Sequence, residues 1–403
     1  MRRPLLLLSV SLALLEPGFA AAASRLEFAS PAGIAEFPFD LHGNHICVRG
    51  RLGDSDSLWI VLDTGASGAS VSASRARALG LAIERGGTSN GAGGVVESGL
   101  VRGVTVRLPG LTLVEQNLSS LPLDAIALQT GRPMDVILGH ALFGRAVVEI
   151  DYAARTVRVR DPARAAPDSA GAWLPLTFRH DLPYVKASIE LPGRPPIRGQ
   201  FVLDTGASTA LTLADDFVGK QRVLDAVPHT IRSRMGGVGG PVENRVGRID
   251  HLRLGAFVLE RPVTVFRLPG PGRISAEGSA GNIGGEILRR FRVTFDYPRQ
   301  RLALVPNAAS SEPFEADMSG LVTQVLPDSA HTLQVLWTQE DSPAAEAGIA
   351  AGDVIEAVDG RAAADWGQAA IRELFRRIGT TRALTVRRGD ERREVRLTMR
   401  RLI

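Results

Sequence analysis

The sequence predicts a mainly β protein built from two related lobes and a smaller C-terminal α+β domain. Three observations carry this. The pentapeptide Asp-Thr-Gly-Ala-Ser occurs twice, at residues 63–67 and 204–208. The segments downstream of each copy recur in the same order, as in a duplicated unit. Beyond residue 317 the short apolar runs give way to a Pro-Ala-Gly pattern and one amphipathic helix.

Bulk properties bound the rest. A chain of 403 residues exceeds one ordinary core and suits several domains. Hydrophobic residues at 44% and charged residues at 22% are globular values. The net charge of +4 rests almost wholly on Arg. The one basic cluster, Arg387 to Arg401, alternates with acids and apolar residues, so no nucleic-acid partner is expected. Arg2 and Arg3, the apolar Leu5 to Leu15 and the small run Ala20 to Ala23 read as a cleaved secretory signal over residues 1–23. That apolar run falls short of the about 20 residues a spanning helix needs, so no membrane span is expected. The expected location is therefore exported, periplasmic or secreted. The single Cys47 forms no internal disulfide.

Lobe one is expected over residues 24–160. Its early polar strand carries His42, His45 and Cys47; His45 and Cys47 share a face, but a fourth ligand and paired spacing are missing, so no metal centre is expected. The apolar run Leu58 to Leu62 leads into Asp63, and the small-residue strand Ala69 to Ser72 follows, with a short helix at Ser74 to Leu79. A glycine-rich stretch, Gly86 to Gly99, contains Gly91, Gly93 and Gly94. Then come a strand at Val104 to Leu108, Asp135 to Leu142 with a helix near Gly139 to Phe143, and strands ending at Tyr152 and Val159. Residues 161–172, rich in Ala, Pro, Asp and Ser, read as a linker.

Lobe two, residues 173–306, repeats the series. Phe201 to Leu203 leads into Asp204, and Ala210 to Leu213 follows. Gly236, Gly237 and Gly239 form the second glycine run. Asn282 to Leu288, Val293 to Tyr297 and Arg301 to Leu304 match the end of lobe one. The two aspartates lie 141 residues apart and the two Asp-Tyr pairs 145 apart. A second linker is expected at residues 307–317. Residues 318–403 form the last domain, with an amphipathic helix over Trp366 to Ile378 and two strands flanking Gly389-Asp390.

One Asp-Thr-Gly alone reads better as a strand-end turn that needs Asp for capping and Gly for its backbone. Two copies in matching contexts indicate carboxylates meant to meet. Paired carboxylates cannot both ionise easily. The charged member can take a proton from water, and the protonated one can donate to a carbonyl oxygen. The outcome is water attack on an amide with no cofactor and no covalent intermediate. Thr64 and Thr205 can brace the opposite loop, and Gly65 and Gly206 let the backbone crowd the carboxylates. The glycine runs lack the strand, helix and Lys context of a phosphate cradle. Neither Ser67 nor Ser208 sits in Gly-x-Ser-x-Gly, so no serine-hydrolase elbow is expected.

These residues resemble the aspartic peptidase signature, two hydrophobic residues followed by Asp-Thr-Gly-Ala/Ser. Its partner segment, hydrophobic-hydrophobic-Gly before a short helix, is matched by Ile137-Leu138-Gly139 and approximately by Ile283-Gly284-Gly285. The resemblance is closest to the bacterial retropepsin-like peptidases and spans about residues 30–306. It implies two pseudo-twofold-related retropepsin-like (acid protease) β-barrel lobes sharing one site. Asp63 and Asp204 would be the catalytic pair, with Thr64, Gly65, Thr205 and Gly206 as supports. Gly91, Gly93, Gly94, Gly236, Gly237 and Gly239 would lie in flaps over a peptide or protein substrate. One chain supplies both aspartates, so a monomer could be active. Residues 86–99 lack the flap Tyr of pepsin-like enzymes. Ala66 and Ala207 stand where many acid proteases carry Ser or Thr, which implies activity at mildly acidic to neutral pH.

The C-terminal domain resembles a bacterial PDZ domain through Ser319 to Val322, Ser342 to Gly348 and Gly352 to Ile355. The resemblance implies a groove between Gly320, Leu321 and Val322 and the helix from Trp366, taking a peptide or a protein C-terminal tail. An aspartic endopeptidase is thus the expected function. The competing expectation is a catalytically silent protease-like scaffold that binds peptides through its PDZ domain.

Overall fold

Each apolar run leading into a pentapeptide forms a central strand buried on both faces, and the lobes grow around these two strands. The structure, a computed structural model, describes residues 25–165, 171–274, 277–326 and 332–403. The leader expected over residues 1–23 and the middle of the first linker lie outside the described residues.

In lobe one, strand Leu58–Leu62 lies between His45–Leu52 and Val136–Leu138. Val136–Leu138 runs parallel to it, with Leu138 beside Leu62, and antiparallel to Ala69–Ser72. Lobe two repeats the pattern: Gly281–Gly284 runs parallel to Ile197–Asp204, with Ile283 beside Leu203, and antiparallel to Leu211–Leu213. Parallel strands covered on both faces favour continuous apolar runs, which is what Leu-Trp-Ile-Val-Leu and Phe-Val-Leu supply.

A third sheet belongs to both lobes. Its order is Ala172–Pro175, Arg301–Pro306, Phe291–Asp296, Val147–Asp151, Thr156–Arg160 and Ile34–Pro38. The tail strands of the two halves pair at its centre, with Ile150 opposite Val293. Phe143 and Phe295 meet edge to face behind it, 5.4 Å apart. One apolar core consequently runs through both lobes and fixes the two pentapeptides relative to each other.

The segment expected as the second linker is stapled to lobe two. It contains the turn Ala308–Ser311, capped by the Asn307 side chain. The wholly buried Arg290 donates to the carbonyls of Ala309, Glu312 and Pro313 and stacks on Phe314 at 3.7 Å. A buried guanidinium satisfied by carbonyls holds this segment far more firmly than its composition suggests.

The last domain has its own five-strand path, from Leu321–Val325 through Leu333–Thr338, Val354–Val358 and Thr381–Arg388 to Glu391–Thr398, around a separate core. The helix expected over Trp366 to Ile378 is shorter and broken. It divides into Ala363–Trp366 and Gln368–Leu374. Gly367, at φ 73°, takes a left-handed conformation that ends the first piece. Ile371, Leu374 and Phe375 are buried as expected, whereas Ile378 lies beyond the helix and is 53% exposed. Among the described residues no helix is long and apolar enough to cross a membrane.

Candidate active site

Asp63 and Asp204 stand at the ends of the two central strands and face each other across the lobe interface. The Asp63 amide donates to the Leu138 carbonyl at 3.0 Å, so the partner strand fixes where the turn begins. Each carboxylate then accepts the amide two residues on: Gly65 to Asp63 Oδ1 at 2.8 Å and Gly206 to Asp204 Oδ1 at 3.0 Å. Close approach is what requires glycine here. A methyl group on Gly206 would overlap Asp63 Cγ, and one on Gly65 would overlap the Asp204 carboxylate.

The threonines form a reciprocal grip. Thr64 Oγ1 donates to the Leu203 carbonyl at 2.7 Å and accepts the Thr205 amide at 3.0 Å. Thr205 Oγ1 donates to the Leu62 carbonyl at 2.8 Å and accepts the Thr64 amide at 3.0 Å. Both threonines are buried. Thr64→Val keeps the volume but leaves the Leu203 carbonyl and the Thr205 amide unpaired, so we expect a loss of about 2–4 kcal/mol in a urea unfolding curve. A loss below about 0.5 kcal/mol, the range of an ordinary surface change, would show that the grip contributes little.

The two carboxylates have unequal surroundings. Burial, reinforced by the Asp204 charge and opposed by the Gly65 amide, pushes Asp63 up to about 8. Burial raises Asp204 too, but Asn282 and the amides of Gly206 and Ala207 pull it back. Asn282 Nδ2 donates to Asp204 Oδ2 at 2.8 Å. The matching position in lobe one is Ile137, which pairs with Val61 as Asn282 pairs with Val202. A donor on one carboxylate and an isoleucine beside the other favour charge on Asp204 and the proton on Asp63. Asn282 Oδ1 is buried and has no partner among the described residues.

The early polar strand contributes as well. His45 lines the site, and its Nε2 lies 2.9 Å from the Gly206 carbonyl oxygen. Burial lowers its pKa. Cys47 turns into an apolar cluster of lobe one. Among the described residues no group of three His, Cys, Asp or Glu side chains converges on a metal position.

Two hairpins cover the site. Glu84–Asn90 and Val95–Leu108 flank the tip holding Gly91, Gly93 and Gly94. Thr230–Gly237 and Gly240–Arg248 end in the tip holding Gly236, Gly237 and Gly239. The tips touch: the Gly93 amide donates to the Val238 carbonyl at 2.8 Å. A methyl on Gly93 would overlap Gly240, and one on Gly239, at φ 98°, would overlap Gly94. The buried Arg267 ties the first tip to the loop at Pro271 by donating to the carbonyls of Ala92 at 2.8 Å and Pro271 at 2.9 Å. Its sequence setting, the end of an apolar strand, gave no sign of this.

The Gly320, Leu321 and Val322 loop is held by its own chain. Asp317 Oδ1 accepts the Ser319 and Gly320 amides at 2.8 and 3.3 Å, and the Leu321 amide donates to Ser319 Oγ at 3.1 Å. Gln368 Nε2 donates to the Thr323 carbonyl at 2.8 Å, bridging strand and helix. Lobe-one helix Asp124–Thr130 packs beside the same strand. One cavity of about 730 Å³ contains both aspartates and the flap tips and extends to Val322, Trp337 and Arg372.

A third carboxylate joins the parts. Glu286 Oε2 accepts Asn44 of lobe one at 2.8 Å, while Oε1 accepts Arg289 at 2.7 Å and pairs with Arg376 of the last domain at 3.2 Å. Burial alone would raise its pKa, but Arg289, Arg376 and Asn44 hold it at about 2.

Two segments, residues 48–142 and 185–286, match the family model described as aspartyl protease, and residues 320–399 match that of the PDZ domain. Comparison with curated proteins finds no match. Among solved structures, the aspartic proteinase from Irpex lacteus is similar at a TM-score of 0.42 and 15% identity, over 69% of this chain and 99% of that one.

Proposed function

We propose that this chain, whose two lobes belong to the aspartyl protease family and whose C-terminal domain is a PDZ domain, is an aspartic endopeptidase. The observation that carries this reading is the pair of half-buried, mutually perturbed carboxylates with unequal donor sets. A water held between them loses a proton to ionised Asp204 as it attacks the peptide carbonyl. Protonated Asp63 donates to the carbonyl oxygen, and the resulting tetrahedral species collapses as Asp204 passes its newly gained proton to the leaving amine and Asp63 takes back the proton of the hydroxyl that reforms the carbonyl. Thr64, Thr205, Gly65 and Gly206 hold the geometry that keeps this reaction unimolecular. The flap tips part to admit an extended peptide and then exclude water.

The PDZ domain serves the same cleft. Val322 and Trp337 line the cavity that holds the aspartates, which supports a role in holding the distal part of a peptide substrate rather than a separate partner. The leader expected over residues 1–23 supports an exported protein, periplasmic or secreted.

The test is incubation of the mature protein with a diverse peptide library from about pH 3 to about pH 8, with products read by mass spectrometry. Internal cleavage is expected at mildly acidic to neutral pH. It should fall as pH passes about 8, where Asp63 gives up its proton. Absence of products at every pH would sink the reading, and a rate maximum near pH 2 to 3 would contradict the assigned proton.

A further inference from the structure

We infer that the substrates of this cleft are peptides with an apolar side chain on one side of the scissile bond and an acidic one on the other. This rests on the endopeptidase reading and adds the substrate class to it.

The two walls of the cavity differ in chemistry. Lobe one contributes Val61, Leu121, Ile126, Met134 and Ile137. These belong to or pack on a single apolar cluster. Apart from Asp63 and His45, the described residues of lobe one present no ionisable side chain to the cavity. Lobe two contributes Arg234, Arg267 and Arg273, together with Asn244 and Asn282. Among the described residues the only carboxylates lining the cavity are Asp63 and Asp204.

Lobe two's cations divide by role. Arg267 is buried and committed to carbonyl oxygens. Arg234 and Arg273 are exposed along the cavity. Among the described residues neither side chain makes an ion pair within 4.0 Å. Glu243 lies opposite Arg234 in the hairpin register but does not pair with it and does not line the cavity. Asp215 lies near Arg267 and raises its pKa against the lowering by burial, so that charge is only partly balanced. At the far end Arg372 of the PDZ domain adds another cation, close to Asp317 and 3.5 Å from the Gln129 carbonyl.

Beyond the catalytic pair the charged groups of the lobe-two wall are of one sign, and low-dielectric surroundings focus their field on whatever enters. A peptide carboxylate beside Arg234 and Arg273 gains charge-assisted hydrogen bonds, whereas a lysine there meets like charge. On the other side an aliphatic or aromatic residue gains by burial against Met134, Ile126 and Leu121. The two lobes lie on either side of the catalytic pair, so this difference of wall chemistry gives the cleft a direction.

The test uses peptides with Leu or Phe on one side of the cleaved bond and Glu, Gln or Lys on the other, in both orders. In one order, kcat/KM for Glu over Lys should be at least about tenfold. That ratio should shrink toward one in the Arg234→Gln/Arg273→Gln variant. It should also shrink when ionic strength rises from about 0.05 to about 0.5 M, a readout needing no variant. Binding of the same peptides to the Asp204→Asn protein, followed by fluorescence anisotropy, should keep the preference for Glu. Equal handling of Glu and Lys in turnover and in binding overturns the inference. A Glu preference in binding with no turnover by the unaltered protein upholds the acidic class while overturning the endopeptidase reading.

Discussion

Asp63→Asn and Asp204→Asn are each expected to lower kcat/KM by at least about 10³-fold, because each removes one half of a general acid–base pair. Neither loss should come from unfolding. An asparagine fits the same space, and in the folded protein Asp63 resists ionisation. Its pKa rises from 3.8 to about 8, chiefly through burial. Between those values the folded state binds more protons than the unfolded state, so stability is full below pH about 4 and declines as pH rises toward 8. Asp63→Asn abolishes that decline. The variant should therefore match or exceed the parent in Tm at pH 7 while losing cleavage. Loss of cleavage together with a fall in Tm would point to a structural role for the carboxylate. Retention of cleavage in either variant would exclude a shared pair.

How far the site could be read from the sequence depended on how local its chemistry is. Asp63, Thr64 and Gly65 sit in one motif that repeats, and the grip and the amide donors follow from immediate neighbours. Asn282, Arg267 and Glu286 act on partners far along the chain: Arg267 on Ala92, 175 residues away, and Glu286 on Asn44, 242 away. No local pattern separates such a side chain from an ordinary strand-end or helix residue. Asn282 did carry one signal, a polar residue in a segment whose lobe-one counterpart is Ile137. The shared sheet was hidden for a related reason. Val147–Asp151 and Phe291–Asp296 each read as buried strands, and alternation alone does not name the partner. Periodicity also misled at the C-terminal helix, where Ile378 completes a 3.6-residue pattern that Gly367 and the chain's departure after Phe375 do not sustain.

Glu286→Gln is expected to loosen all three domains at once. The carboxylate is 7% exposed and receives Asn44 from lobe one, Arg289 from its own lobe and Arg376 from the PDZ domain. A glutamine keeps the shape and part of the hydrogen bonding but leaves Arg289, Arg376 and the wholly buried Arg290 without their shared negative charge. Breaking such a network from one side is costly because the remaining charges stay desolvated. The pKa provides a second measure. The folded value of about 2 lies below the ordinary value of 4.5, so Glu286 contributes stability that is present above pH 4.5 and lost as pH falls toward 2. That difference corresponds to about 3 kcal/mol. The variant should lose about this much at pH 7 in urea unfolding and show a flatter acid limb between pH about 4.5 and about 2. Asp63 sets a slope of the opposite sign at higher pH, so the parent protein should be most stable between the two limbs. Proteolysis near residues 307–317 should accelerate in the variant, since Arg289 also pairs with Glu312 in that segment at 3.1 Å. An unchanged acid limb with normal protection of residues 307–317 would mean that Arg290 and its carbonyl partners suffice to hold the domains, and that Glu286 is not their joint.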